Sequence, residues 1–315
     1  MRLRQIAKTL LTWLPPRVER FVRALSQRNK RAKARVRKQR TVVSFESARD
    51  CIAHFQFETD ILIHSSVSNI GRFDCPVPRI VDCLLEAIDT GRNTVLAPAL
   101  PFTSSMKEYL DGQPVFDVRR APNAMGVMSN VIMHRDGATR SLHPTHSIVA
   151  LGPIAEDYVR DHHCCRTPFG EGSPFLRLQR ERGKVLMFGV GLNSVTNFHV
   201  YEDMLGALLP FNAYVGKEYE VSCVDIDGDP IKVITACHSP LMSARRDCER
   251  ARKRLLDAQR ISTVRMEEGE ISLLDAHGLT VTLLEMLLNG ESIYGSVTLS
   301  ATQRAAVERC LAELQ

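Results

Sequence analysis

Aromatic residues make up only 6% of this 315-residue sequence, with a single Trp, and no segment interleaves them with a basic stripe. That argues against a stacking platform for single-stranded nucleic acid. Uninterrupted apolar runs, such as Val185–Leu192, reach about eight residues, whereas a membrane-spanning helix needs about 20. The nine cysteines contain no Cys-x-x-Cys pair. An odd number of dispersed thiols reads as a reduced, cytoplasmic protein. Neither a Gly-x-Ser-x-Gly elbow nor a His-Glu-x-x-His pair occurs, which argues against an α/β-type serine hydrolase and against a zinc hydrolase.

The composition is otherwise that of a globular chain, 44% hydrophobic and 24% charged. The formal net charge of +5 averages two unlike parts. Residues 1–40 hold fourteen Lys and Arg against one acid, Glu19, a net +13, and the remaining 275 residues sum to −8. A basic arm, residues 1–44, is therefore expected ahead of a mildly acidic body, residues 45–315. Leu3, Ile6, Leu10 and Trp13 recur at helical spacing in the arm, ending at Pro15-Pro16. The apolar patch is too short for a secretory signal and lacks a small-residue cleavage site. The arm reads as a solvated helical appendage docking on the body or a partner subunit, with peripheral contact to an anionic membrane surface as the alternative.

Along the body, strands and helices alternate. Asp60–His64, Thr94–Pro98, His146–Leu151 and Lys184–Val190 read as buried strands, the last without alternation and so covered on both faces. Pro78–Ile88, Met125–His134, Pro153–Arg160, Ser173–Arg182 and Thr196–Leu208 read as helices. Tyr219–Asp225 and Ile231–Ala236 flank Asp227-Gly228-Asp229, a hairpin signal. Continuous helices are expected over Ala244–Gln259 and Leu273–Leu288.

Three constellations could carry chemistry. The first is a strand entering a small polar turn, His64-Ser65-Ser66-Val67-Ser68, where backbone N–H groups at a helix start can bind phosphate or polarise a carbonyl. The second is Arg140-Ser141-Leu142-His143-Pro144-Thr145-His146-Ser147. There the proline biases His143 to an extended backbone at a strand entrance, a natural place for a general base. The third is Thr196–Glu202, in which His199 and Glu202 share a helix face, so that a carboxylate can orient an imidazole. Gly189-Val190-Gly191 imitates half of a dinucleotide fingerprint, but Ser194 stands at the third glycine position. His162-His163-Cys164-Cys165 imitates a metal cluster, but adjacent residues point apart and no second pair follows at zinc spacing.

The order of these segments is more specific than any one of them. IHSSVSNIG (63–71), APALPFT (97–103), FDVRRAPNAMGVMSN (116–130), RSLHPTHSIVALG (140–152), GEGSPFLRL (170–178) and VLMFGVGLNSVTNFHVYE (185–202) follow one another. Together they resemble the aminoglycoside N3-acetyltransferase family, over about residues 45–300. The resemblance implies a three-layer α/β/α fold around a mixed central sheet. It also implies direct, metal-free transfer of an acetyl group from acetyl-CoA to an amine of an aminoglycoside antibiotic or amino sugar. On that basis His143 is the candidate base, and Glu202 either orients it or contacts the acceptor amine. His64, the Ser65–Ser68 turn, Phe102, Thr103 and Ser147 are candidate coenzyme contacts, and Asn130 and His199 candidate acceptor contacts. Family members that modify antibiotics often carry an acid where this chain has Asn130, which puts the acceptor in question. The alternatives are an acyltransferase of a surface-glycan or secondary-metabolite pathway and a non-catalytic binding subunit of the same fold. A homo-oligomer is compatible with either, and no nucleic-acid partner is expected.

Overall fold

The computed structural model describes residues 42–314; the helical reading of the arm lies outside them. The strands are β1 (Val42–Val43), β2 (Ile61–Ser65), β3 (Arg72–Phe73), β4 (Val95–Pro98), β5 (Val115–Asp117), β6 (Thr139–Arg140), β7 (Ile148–Leu151), β8 (Lys184–Phe188), β9 (Tyr214–Val224), β10 (Pro230–His238), β11 (Ile261–Met266), β12 (Gly269–Asp275), β13 (Glu291–Ser292) and β14 (Gly295–Ser296). The helices are α1 (Phe45–Ala53), α2 (Val67–Ile70), α3 (Val77–Ile88), α4 (Met106–Asp111), α5 (Val127–Met133), α6 (Ala155–Val159), α7 (Pro174–Arg180), α8 (Val200–Leu205), α9 (Pro240–Arg245), α10 (Arg252–Asp257), α11 (Ala276–Leu288) and α12 (Ala301–Leu314).

Seven strands form the central sheet in the order β11-β12-β8-β2-β4-β7-β6. It is mixed, as the resemblance implies: β2 runs parallel to both β4 and β8, and β12 and β7 add antiparallel neighbours. Its middle strands are apolar on both faces because both faces are covered. Alternate side chains go opposite ways. Ile61, Ile63, Leu186 and Phe188 join a core with α1, α3 and α5, while Leu62, Val185 and Met187 join the core built by α6, α7, α8 and α11. The body already includes Val43, fully buried ahead of the expected start at residue 45.

A second sheet, β10-β9-β5, has its own small core around Phe116, Tyr219, Val221 and Val233. Its hairpin turns at the expected Asp227-Gly228-Asp229, where the Asp225 carboxylate accepts from the N–H of Asp227, Gly228 and Asp229. β10 changes register between Ala236 and His238. Such an irregularity re-aims a side chain, and here it presents His238.

Three expected helices differ. Ala244–Gln259 is interrupted: α9 ends at Arg245, and a 3-10 turn, Cys248–Ala251, precedes α10. The first residues of Leu273–Leu288 belong to β12, because they pair with both β8 and β11; the helix starts only after Asp275, whose carboxylate caps the Gly278 N–H. Thr196–Leu208 is a short α-helix between two 3-10 turns. Among the described residues no helix is long and apolar enough to cross a membrane.

Candidate active site

The carboxyl ends of β2 and β8 lie side by side, and the polar turns follow both. After β8, Gly189 has φ +71°, and a Cβ there would stand 2.6 Å from the Ser66 carbonyl oxygen. The glycine thus serves the close approach of two turns, not a dinucleotide. Asn69 ties the same turns together by donating to the Gly189 carbonyl at 2.8 Å. His64, at the end of β2, has its Nε2 3.2 Å from the Thr196 hydroxyl, joining the serine turn to the segment that carries His199. Burial pushes the His64 imidazole down to about 4.

Over the face of the sheet covered by α7 and α11 sits a buried cluster. His199 Nδ1 is 2.8 Å from Glu202 Oε2, so the i,i+3 pairing read from the sequence forms, inside the protein and not on its surface. The Tyr294 hydroxyl donates to the other Glu202 oxygen at 2.7 Å. His238 Nε2 lies 3.4 Å from Oε2, near enough for attraction but out of hydrogen-bond alignment, and that nitrogen has no hydrogen-bond partner. Burial alone would raise the Glu202 carboxyl; the charge and hydrogen bond of His199, together with the attraction of His238, outweigh it and hold it at about 2. An ionised Glu202 accepts, so His199 carries its proton on Nδ1 and presents a lone pair on Nε2. The Arg246 guanidinium meets that Nε2 and also donates to the Asn193 carbonyl at 3.1 Å.

His143 is placed differently. The structure does not pair it with Glu202, whose bonds go to His199 and Tyr294. Its ring is wholly buried and stacked on His162 with centroids 4.4 Å apart. Its Nδ1 accepts the His146 backbone N–H at 3.0 Å, and its Nε2 is 3.5 Å from the Thr235 hydroxyl. Burial, and then the neighbouring His162 and His146, lower its pKa well below the usual range. The acceptor nitrogen of His143 is thus engaged by the main chain. His162 is likewise held, between the Ser141 hydroxyl and the Pro168 carbonyl.

Two other candidates are engaged elsewhere. The Ser147 hydroxyl is fully buried, donating to the Ser141 carbonyl and accepting from the Arg140 guanidinium. Asn130 stands on α5, in the opposite helical layer from His199, and its amide donates to the Asn123 and Gly126 carbonyls. Phe102 stacks on Tyr109 at 4.5 Å, beside an exposed Thr103. The sequence reading missed His238, Tyr294 and Arg246, which reach the cluster only through tertiary contacts.

His199, Glu202 and His238 bring ligand atoms within 4.8 Å of one another, the one such trio found among the described residues. Two imidazoles and a carboxylate are a zinc-type set. The permanent charge of Arg246 against His199 opposes a further cation, and Glu202 is already engaged, so the trio fits a shared proton better than a metal.

The chain matches known proteins over this same region. It is similar to aminoglycoside N(3)-acetyltransferase III of Salmonella sp, at 33% identity over 182 residues, covering 54% of this chain and 61% of the relative. It is also similar to aminoglycoside N(3)-acetyltransferase VIII of Streptomyces fradiae, at 34% over 175 residues, covering 51% and 60%. The chain thus spans about three-fifths of the length of these curated relatives. Among solved structures, AAC-IIIb in binary complex with CoASH superposes with a TM-score of 0.61 at 23% identity, over 77% of this chain and 95% of that one. AAC-VIa bound to sisomicin gives 0.60 at 22%, over 77% and 96%. The aminoglycoside 3-N-acetyltransferase family pattern matches residues 62–287, a span holding most of the central sheet and, of the cluster, His199, Glu202, His238 and Arg246. With well over half its length inside that pattern, the chain belongs to the aminoglycoside 3-N-acetyltransferase family.

Proposed function

We propose that the protein is an acetyl-CoA-dependent N-acetyltransferase acting on an amino sugar or aminoglycoside-like amine by direct transfer, with His199 as general base. One observation carries the reading: His199 is the imidazole held by an ionised carboxylate, with its second nitrogen turned away from that partner. The base role expected for His143 moves to His199, because the Nδ1 lone pair of His143 is engaged by fixed main chain, whereas the Nε2 of His199 meets only a side chain, Arg246, that can turn away.

The chemistry needs an amine stripped of its proton at the moment of attack. His199 Nε2 takes that proton as the C–N bond forms and the thioester C–S bond breaks, and the departing thiolate is protonated in turn. Glu202 steadies the imidazolium, and the Tyr294 hydroxyl fixes the carboxylate. The thioester oxygen gains negative charge in the tetrahedral intermediate. The amides of Val67 and Ser68, in the first turn of α2, have no intrahelical acceptor and suit that charge. His64 holds this turn against Thr196, and the Phe102–Thr103 turn is the proposed pantetheine contact. The basic arm is proposed to act outside this chemistry, in peripheral or subunit docking.

Thiol release from acetyl-CoA across a panel of amines tests the reading, together with a melting-temperature rise on adding coenzyme A. Release that needs both amine and His199 supports it. No thermal shift at millimolar coenzyme A and no release with any amine would leave a binding subunit of the same fold.

A further inference from the structure

The strongest unassigned feature is the guanidinium seated on the proposed base. Arg246 stands where the expected helix over 244–259 is broken. That break is pinned by the Asp247 N–H donating to the Ile293 carbonyl at 2.8 Å and the Cys248 N–H donating to Asn193 Oδ1 at 3.1 Å. These two tertiary bonds, not helix propensity, aim Arg246 at His199. Its guanidinium covers the lone pair of His199 that would receive a proton, since Nδ1 already faces Glu202.

An acceptor amine must approach that nitrogen, and much of it arrives as an ammonium. A second cation there is repelled at short range. The nearby carboxylates are bonded to donors of the protein itself and do not reach out to an incoming ammonium. Glu202 is engaged by His199 and Tyr294, and Asp203 accepts from the Tyr214 hydroxyl at 2.5 Å and the Phe169 N–H at 2.9 Å.

We infer that the acceptor carries an anionic group, a phosphate or carboxylate, close to its amine, and that Arg246 reads that group. The inference rests on His199 being the base. An anion within reach offers the guanidinium a bidentate, charge-assisted partner. Arg246 then leaves Nε2 for the anion, and the same molecule's amine takes its place at the base. A polycationic acceptor has nothing to draw Arg246 away.

Initial rates of thiol release from acetyl-CoA test this with four probes: glucosamine, glucosamine 6-phosphate, 2-amino-2-deoxyglucuronate and sisomicin. In the wild-type protein at least one anionic amino sugar is expected to exceed glucosamine in kcat/KM by about 10–100-fold, the usual worth of a hydrogen bond to a charged group. Sisomicin should fall below both. Arg246→Gln should bring the anionic-to-neutral ratio toward one and raise the rate with sisomicin. Arg246→Lys, which keeps the charge without the fork, should fall between and covers the case of a poorly folded Gln variant. The KM for acetyl-CoA should stay within about twofold in both variants. A wild-type preference for sisomicin would overturn the inference while leaving His199 as the base. So would a rise in acetyl-CoA KM in Arg246→Gln with acceptor preference unchanged, which would assign Arg246 to the coenzyme phosphates. Absence of thiol release from every amine would overturn the acetyltransferase reading, and this inference with it.

Discussion

Two groups of histidines sit in neighbouring parts of the same core, and they differ in one respect that decides their chemistry. Around His143 stand His146 and His162, their ring centroids 6.2 and 4.4 Å from it, and the hydrogen bonds of all three run to backbone and hydroxyl groups. Burial comes first among the causes that lower all three. His199 and His238, with ring centroids 4.3 Å apart, share Glu202. The comparison teaches that burial and a strong local motif do not make a base. A buried imidazole accepts a proton during turnover only if something nearby stabilises the charge it acquires.

Substitutions can break or sharpen that contrast. The largest effect is expected at His199. His199→Ala should lower turnover by roughly 10²–10⁴-fold, the range for loss of a general base, with coenzyme A still raising the melting temperature. Glu202→Gln should follow it. It keeps the shape but loses the charge that favours the imidazolium, and combined with His199→Ala it should add little further loss if the two act as a unit.

His143→Ala should act on stability instead. It empties a stacked site and strands the His146 N–H, costing about 2–4 kcal/mol. Turnover per folded molecule should hold within a few-fold, which denaturant melts run beside active-site titration would check. The smallest expected effect is a slope. His64 falls from 6.5 to about 4 on folding. A histidine with a depressed pKa binds fewer protons folded than unfolded. The stability it contributes is therefore present above about 6.5 and lost as the pH falls toward 4. His64→Gln should flatten the pH dependence of the melting temperature across that window, and an unchanged slope would remove His64 as its source.

Much of the scaffold was legible because the signals were local. The apolar runs at Ile61–Ser65, Val95–Pro98, Ile148–Leu151 and Lys184–Phe188 are strands, and the i,i+3 spacing of His199 and Glu202 gave a real pair. The errors came where tertiary bonds overrode local preference. The residues from Leu273 look helical alone but pair with β8 and β11. The helix expected across Arg246 is broken by bonds to Ile293 and Asn193. No spacing could have announced Tyr294, which reaches Glu202 from 92 residues away. Nor could any announce His238, aimed by a strand irregularity. The sequence also displays the motif around His143 without showing that the main chain occupies its Nδ1.

The central claim is that the base is the imidazole paired with the carboxylate. Its most direct test is single-turnover thiol release by folded His199→Ala and His143→Ala proteins, side by side, on the best acceptor found. The account expects His199→Ala to fall by at least about a hundredfold and His143→Ala to stay within a few-fold of wild type. A collapse of rate in folded His143→Ala with His199→Ala near wild type would contradict it.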